Sequence, residues 1–106
     1  MTVSIAVPYK AAKVSKVDKI EKQVAAMRDN PSSVSFSDAL RVADHYFREF
    51  GEPRISGSHH IYKTPWAGDP RINLQKDKSG DAKPYQVRQI ISAIDKLTAL
   101  RALEME

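Results

Sequence analysis

The stretch Ser56-Gly57-Ser58-His59-His60-Ile61-Tyr62-Lys63-Thr64 marks the point at which the spacing of apolar residues changes along the chain. Upstream of it, apolar residues recur every three or four positions, which is typical of helices. From this stretch onwards, short runs of strand-forming residues are separated by turn residues. The runs at 53–56, 59–64 and 71–75 therefore predict three strands, with a glycine-bearing turn before the second.

The third run alternates cleanly, with Ile72 and Leu74 pointing one way and Arg71, Asn73 and Gln75 the other. A loop rich in proline and glycine precedes this run, and a polar, glycine-bearing connection follows it. Three consecutive strands joined in this way predict an antiparallel meander. One face of such a sheet can be buried under helices while the other stays in water.

Three helices surround this strand region in the prediction. The first runs over 15–29, begins at a capping-box-like Ser15 with Asp18, and ends at Asn30-Pro31. Its narrow apolar stripe predicts that it leans on the domain or on a partner chain. The stripe consists of Val14, Val17, Ile20, Val24 and Met27.

The second predicted helix runs from 37 to 50 and stops at Gly51, and the last begins at Pro84. We expect the second helix to bury Leu40, Ala43, Phe47 and Phe50, with Val42 and Tyr46 flanking. The last helix carries the strongest stripe, with Val87, Ile90, Ile91, Ile94, Leu97 and Leu100. The expected fold class is α+β: an α-β-β-β-α unit over 31–106 with two helices on one face of the sheet, preceded by a helical extension at 15–30 and a flexible arm at 1–14.

Composition limits the functional classes. The 106 residues lack cysteine, which excludes a disulfide framework and a thiolate metal site and suits a reducing cytoplasm. The apolar run near the N-terminus is too short to span a membrane. The net charge of +4 favours a polyanionic partner, and the excess of basic residues lies in 1–30 and 52–83. We therefore expect a soluble cytoplasmic protein.

The triplet Gly57-Ser58-His59, the third strand DPRINLQ and the segment AKPYQVRQIISAI resemble the HicA-family toxins of bacterial type II toxin–antitoxin systems. The resemblance covers about 34–98. It implies a fold like that of a double-stranded-RNA-binding domain, and the activity of an mRNA interferase that a HicB antitoxin neutralises. Two departures from the family are the helix at 15–29 and the absence of a second histidine at or after the third strand.

The family's catalytic histidine corresponds to His59. Histidine suits metal-free RNA cleavage, because it titrates near neutral pH and can serve as the general base or the general acid. No metal and no cofactor is expected, and the free toxin is expected to be a monomer. The residues expected to contact RNA are Gly57, Ser58, Lys63, Lys83, Tyr85 and Arg88, with the free N–H groups at the start of the last helix helping to bind phosphate. Lys83, Tyr85 and Arg88 are equally well explained as ordinary helix-surface residues.

Strand alternation turns His60 away from His59, so the two histidines are not expected to share a metal. His45 is expected to be exposed. Trp66 suits either base stacking or the anchoring of its loop, and either Tyr62 or Ile61 must belong to the core.

Two other functional classes remain open. The same fold can serve as a non-catalytic RNA-binding module that relies on phosphate contacts. It can also serve as a pure interaction protein that docks through its N-terminal helix.

Overall fold

Helices flank a three-stranded antiparallel sheet in the computed structural model, which describes residues 15–105. The elements follow in the order α1 (Lys16–Asp29), α2 (Phe36–Phe47), a 3₁₀ turn (Arg48–Phe50), β1 (Arg54–Ser56), β2 (His59–Tyr62), β3 (Ile72–Gln75) and α3 (Pro84–Glu104). The predicted α+β class and element order are confirmed. The arm predicted at 1–14 lies outside the described residues.

The helix starts follow local chemistry. The Ser15 and Ser35 hydroxyls accept hydrogen bonds at 3.1 Å from the N–H groups of Asp18 and Asp38, and so cap α1 and α2. Helix α3 begins at Pro84, at the position where a missing N–H costs nothing. The cap predicted for the first helix is therefore confirmed.

The sheet has the strand order β1-β2-β3, and its register fixes which side chains share a face. Ser56 stands opposite His59, and His59 stands opposite Gln75. Tyr62 pairs with Ile72, and both are buried beneath the helices. The other face, which we call the open face, carries His59, Ile61, Asn73 and Gln75.

The core lies between the sheet and the helices, since α2 and α3 both contact β3. Leu74 and Ile94, which were expected to be buried, are 0% and 4% exposed. Tyr62 is the member of the Ile61/Tyr62 pair that enters the core. The core is formed by Ile20, Val24, Met27, Val34, Ala39, Val42, Ala43, Phe47, Tyr62, Ile72, Leu74, Ala82, Val87, Ile90, Ala93, Ile94 and Leu97.

Helix α1 packs against α2 and α3 and contributes to this same core. Met27 is fully buried, Ile20 and Val24 nearly so, and only Val17 of the described stripe residues is exposed. Of the two packing partners that the sequence allowed for this stripe, the domain itself is therefore the one that covers most of it.

The buried face of α2 differs from the predicted one. Val42, expected at the flank, is fully buried, while Leu40 and Phe50 are only partly buried. Phe50 is less buried than predicted because the α-helix ends at Phe47 and continues as a 3₁₀ turn, which rotates the following side chains. Gly51 then adopts φ 136° and ψ 161°, a glycine conformation but not the predicted left-handed helical one.

Trp66 anchors the loop between β2 and β3. Its indole N–H donates to the Pro70 carbonyl at 3.0 Å, and its ring packs edge-on against Phe47 at 6.1 Å. The Lys96 ammonium lies 4.8 Å from the centre of the indole ring. Of the two roles considered for Trp66, these contacts correspond to anchoring the loop.

Candidate functional site

His59 is the first residue of β2, directly after a two-residue hairpin turn. The turn requires Gly57, whose φ of +62° is unfavourable for residues with a side chain. This geometry places the half-buried imidazole on the open face, next to β3. Its Nδ1 lies 3.0 Å from Oδ1 of Asn73.

His60 points the opposite way, as strand alternation predicts. Its ring packs edge-on against Phe36 with the ring centres 5.3 Å apart. The two histidines therefore belong to opposite faces of the sheet and do not converge on one point. Within residues 15–105, no group of three or more His, Cys, Asp or Glu side chains comes together as metal ligands would.

Gln75 connects the start of β2 to the start of α3. Its position opposite His59 brings the two side chains together on the open face. Its amide nitrogen donates to the Ser58 hydroxyl at 3.4 Å, and its amide oxygen accepts from the Lys83 ammonium at 2.9 Å. We call His59, Asn73, Gln75, Ser58 and Lys83 the His59 cluster.

Lys83 reaches this cluster because the loop before α3 is tightly held. One carboxylate oxygen of Asp77 accepts hydrogen bonds from the Ser79 hydroxyl and from the N–H groups of Ser79 and Asp81. These bonds, the Ser79 hydroxyl foremost, lower the pKa of Asp77. The loop also pairs Lys76 with Ala82, so the chain arrives at Lys83 beside the end of β3.

The electrostatics of the cluster favour an anion. In the part of the chain that the structure describes, Lys83 takes part in no ion pair and its ammonium is met by a neutral amide oxygen. A bound phosphate can therefore approach a cation that is not already neutralised by a carboxylate. The same site carries a titratable imidazole, which can exchange protons with a bound molecule.

The predicted cradle of N–H groups at the start of α3 is smaller than expected. Pro84 has no N–H, and the N–H groups of Gln86 and Val87 both donate to the Lys83 carbonyl. Tyr85 alone of these first residues has a backbone N–H without a partner among residues 15–105. Lys83 therefore supplies most of the attraction for an anion at this position.

Lys63 does not join the cluster. Strand β2 ends at Tyr62, and four residues of extended chain separate Lys63 from His59 by about 13 Å. The Lys63 side chain lies over Gly51, where an added Cβ would fall 2.7 Å from its Cδ. Lys63 therefore lies apart from the His59 cluster, and its expected contact with RNA stays a prediction.

Tyr85 and Arg88 lie on the exposed side of α3. Both line a shallow pocket of about 240 Å³ together with Asp69 and Pro70 of the β2–β3 loop. The Tyr85 hydroxyl accepts a hydrogen bond from Gln86 at 3.3 Å. No hydrogen bond within residues 15–105 joins Arg88 to the His59 cluster, so the structure does not bring these two residues into it, and their expected contacts with RNA stay predictions.

Gln86 is a buried polar residue next to the cluster, and sequence reasoning missed it. It is 3% exposed, and its side-chain oxygen accepts the Gln75 backbone N–H at 2.8 Å. The hydrogen bond ties α3 to the end of β3 at the level of the cluster. A polar residue within the apolar stripe of α3 was the signal that could have revealed it.

Asn73 and Gln75 were also missed as site residues, although alternation had placed them on the face away from the core. His45 is exposed, as expected. Arg54 shares the open face, because it pairs with Ile61 across the first hairpin. It adds a second cation to the surface around the cluster.

Comparisons of the chain with protein-family models, with curated proteins and with solved structures find no match. The resemblance to HicA toxins therefore rests on the residues quoted above. Between residues 15 and 105, no helix is both long enough and apolar enough to cross a membrane.

Proposed function

We propose that this protein is the toxin of a HicA–HicB pair, an endoribonuclease that cleaves mRNA in the cytoplasm without a metal ion. One observation carries the proposal: the family's histidine, His59, stands on the open face opposite Gln75, whose side chain holds Lys83, a lysine in no ion pair among residues 15–105. A sheet face that the described helices leave open, with a histidine and a cation on it, suits an extended polyanion.

The chemistry follows from these groups. The 2′-hydroxyl of RNA attacks the adjacent phosphorus, the new O2′–P bond forms, and the P–O5′ bond breaks. His59 takes the hydroxyl proton, and a solvent water molecule gives a proton to the departing 5′ oxygen. The products are a 2′,3′-cyclic phosphate and a 5′-hydroxyl end.

Lys83 and Gln75 have a separate role in this proposal. Negative charge builds on the phosphate oxygens as the phosphorus becomes five-coordinate. The Lys83 ammonium, oriented by Gln75 at 2.9 Å, stabilises that charge. Ser58 and Gly57 form the turn over which the RNA backbone passes.

The antitoxin in this proposal is a HicB-like protein that covers the His59 cluster and so excludes RNA. The buried Ile20 and Val24 are not available to it, because they pack inside the chain. Any contact with α1 would use the exposed side of that helix. The free toxin is proposed to be a monomer.

The chain's three histidines provide the test. His59→Ala, His60→Ala and His45→Ala are expressed without antitoxin, and growth and RNA cleavage are followed in lysate that contains a chelator. We expect His59→Ala to lower the cleavage rate about a hundredfold or more, because a general acid–base residue is lost. His45→Ala, on the exposed side of α2, is the matched control and should cleave at the parental rate.

Product analysis sharpens the result. Cyclic phosphate ends that depend on His59 support the proposal. If His59→Ala cleaves at the parental rate, or if chelator alone stops the wild type, the proposed mechanism is wrong. If the wild type binds RNA but never cleaves it, the non-catalytic RNA-binding module is the better account.

A further inference from the structure

The contact between His59 and Asn73 has a direction. Oδ1 of Asn73 is an amide oxygen and can only accept a hydrogen bond, so Nδ1 of His59, 3.0 Å away, must donate. A neutral imidazole carries one proton. When that proton is on Nδ1, Nε2 keeps its lone pair.

The sheet register builds this contact. Asn73 stands opposite Ile61, and His59 stands opposite Gln75, so Asn73 and His59 are diagonal neighbours on the open face. Both residues are half-buried, which shields the hydrogen bond from competing water. Among the described residues, no carboxylate is hydrogen-bonded to the His59 ring, so a neutral amide alone sets its orientation.

We infer that Asn73 is a positioning residue that holds His59 in the Nδ1–H tautomer and leaves Nε2 as the atom that accepts the proton. The inference rests on the proposed nuclease function for its kinetic part, whereas the tautomer itself does not depend on any activity. Asn73 does not touch the reacting atoms. It acts by fixing the orientation of the His59 ring and by disfavouring the tautomer that carries the proton on Nε2.

The arrangement also serves the charged state. When Nε2 takes the 2′-hydroxyl proton, the ring becomes a cation that still donates from Nδ1 to Asn73. The amide oxygen then carries the negative end of a dipole towards that cation and stabilises it. A carboxylate at the same position would favour the protonated ring before RNA binds, so less of the ring would be in the proton-accepting form.

The test begins with the tautomer. Long-range ¹⁵N–¹H NMR spectra of the full chain, with His59→Ala used for assignment, distinguish a protonated Nδ1 from a protonated Nε2. At a pH where the ring is neutral, we expect Nδ1–H in the wild type. Asn73→Ala should release the ring to a mixture of tautomers, while the exposed control Asn30→Ala should leave it unchanged.

Kinetics give the second readout. Asn73→Ala should lower kcat about ten- to a hundredfold, the range seen when the hydrogen-bond partner of a functional, metal-bound histidine is removed, with little change in KM. Asn73→Asp keeps an acceptor and should restore the Nδ1–H tautomer. Its rate profile should shift towards higher pH, because a carboxylate favours the protonated ring.

The outcomes separate the two proposals. If the wild-type ring carries its proton on Nε2, or if Asn73→Ala leaves the tautomer unchanged while the backbone amide spectrum stays folded, the role of Asn73 is wrong. Should Asn73→Ala fail to fold, the wild type and Asn73→Asp still decide the tautomer. If the tautomer responds as expected but no RNA is cleaved, the positioning inference stands and the nuclease function falls.

Discussion

Tyr62 is a core residue whose hydroxyl group needs a hydrogen-bond partner. Its ring is buried beneath α2, and its hydroxyl donates a 2.5 Å hydrogen bond to a carboxylate oxygen of Asp44. Burial, together with this bond and the charge of Asp44, raises the pKa of Tyr62 well above its usual value. Asp44 in turn pairs with Arg48 at 3.1 Å. The buried hydroxyl is thus hydrogen-bonded to a carboxylate that belongs to a surface ion pair.

Tyr62→Phe should destabilise the protein by about 1 kcal/mol at pH 7, since one hydrogen bond to a partly exposed carboxylate is removed. The pKa of Tyr62 is raised on folding, so its contribution is complete below the unfolded value of about 10 and is lost as pH rises through the native value. Urea unfolding of wild type and variant at neutral and alkaline pH measures the difference. Tyr85→Phe, at an exposed position, is the control.

The difference between wild type and Tyr62→Phe should therefore shrink above about pH 10. A gap that stays constant or widens into the alkaline range would show that the Asp44 bond does not stabilise the neutral phenol. The Tyr85→Phe comparison removes any general effect of losing a tyrosine.

At the residue scale, sequence reasoning singled out His59, Ser58 and Lys83 of the cluster but not Asn73 and Gln75. Alternation had already assigned Asn73 and Gln75 to the face away from the core. Their contacts with His59 depend on how β2 and β3 are aligned, and the loop at 63–71 is too long and irregular for its turn chemistry to fix that alignment. Lys63, four residues beyond His59, lies too far along the chain to join the cluster, and its expected contact with RNA is a separate question.

At the scale of the element, α1 is the part of the chain that sequence reasoning described least completely. Its start, its end and its apolar stripe follow from local chemistry. The surface that the stripe packs against cannot be predicted from local chemistry, because a stripe at helical spacing fits a neighbouring helix and a partner chain equally well. The structure buries Ile20, Val24 and Met27 in the common core, and Arg28 adds an ion pair to Asp95 of α3 at 2.6 Å.

Met27→Ala should therefore lower the free energy of unfolding by about 2–5 kcal/mol, as expected for a methionine removed from a packed core. Val17→Ala, on the same helix but half exposed, should change it by less than about 0.5 kcal/mol. Both are measured by urea unfolding of the isolated chain. Equal stabilities for Met27→Ala and the wild type would mean that α1 is not part of the cooperative core.

At the scale of the whole molecule, the distribution of cations matters more than the net charge of +4. Several arginines are engaged in surface ion pairs, among them Arg28, Arg48 and Arg101. Lys83 and Arg54, on the open side of the sheet, take part in no ion pair among residues 15–105. Lys22 on α1 is likewise in no ion pair among these residues. Lys83 and Arg54 differ from it in their position, because both lie on the open side of the sheet, where the site is proposed.

RNA binding should show this distribution in its salt dependence. In a His59→Ala background, which the proposal expects to bind RNA without cutting it, Lys83→Gln should reduce the slope of log affinity against log salt by about 0.7, the value for one phosphate contact on a single strand. Lys22→Gln, on the exposed side of α1, removes the same charge away from the open face. Equal slopes for the two variants would argue against a phosphate contact at Lys83.

The two connections within the sheet tolerate changes in chain length very differently. The turn at Gly57-Ser58 is as short as a hairpin turn can be, and the side chains of a strand alternate with a period of two. One inserted residue that shifted β2 along its neighbours would bring His60 to the open face and send His59 into the helices. The loop at 63–71 has the slack to absorb such an insertion before β3. The loop after β2 can therefore vary in length without moving His59 to the other face. The turn before β2 cannot, because its length decides which of the two histidines lies on the open face.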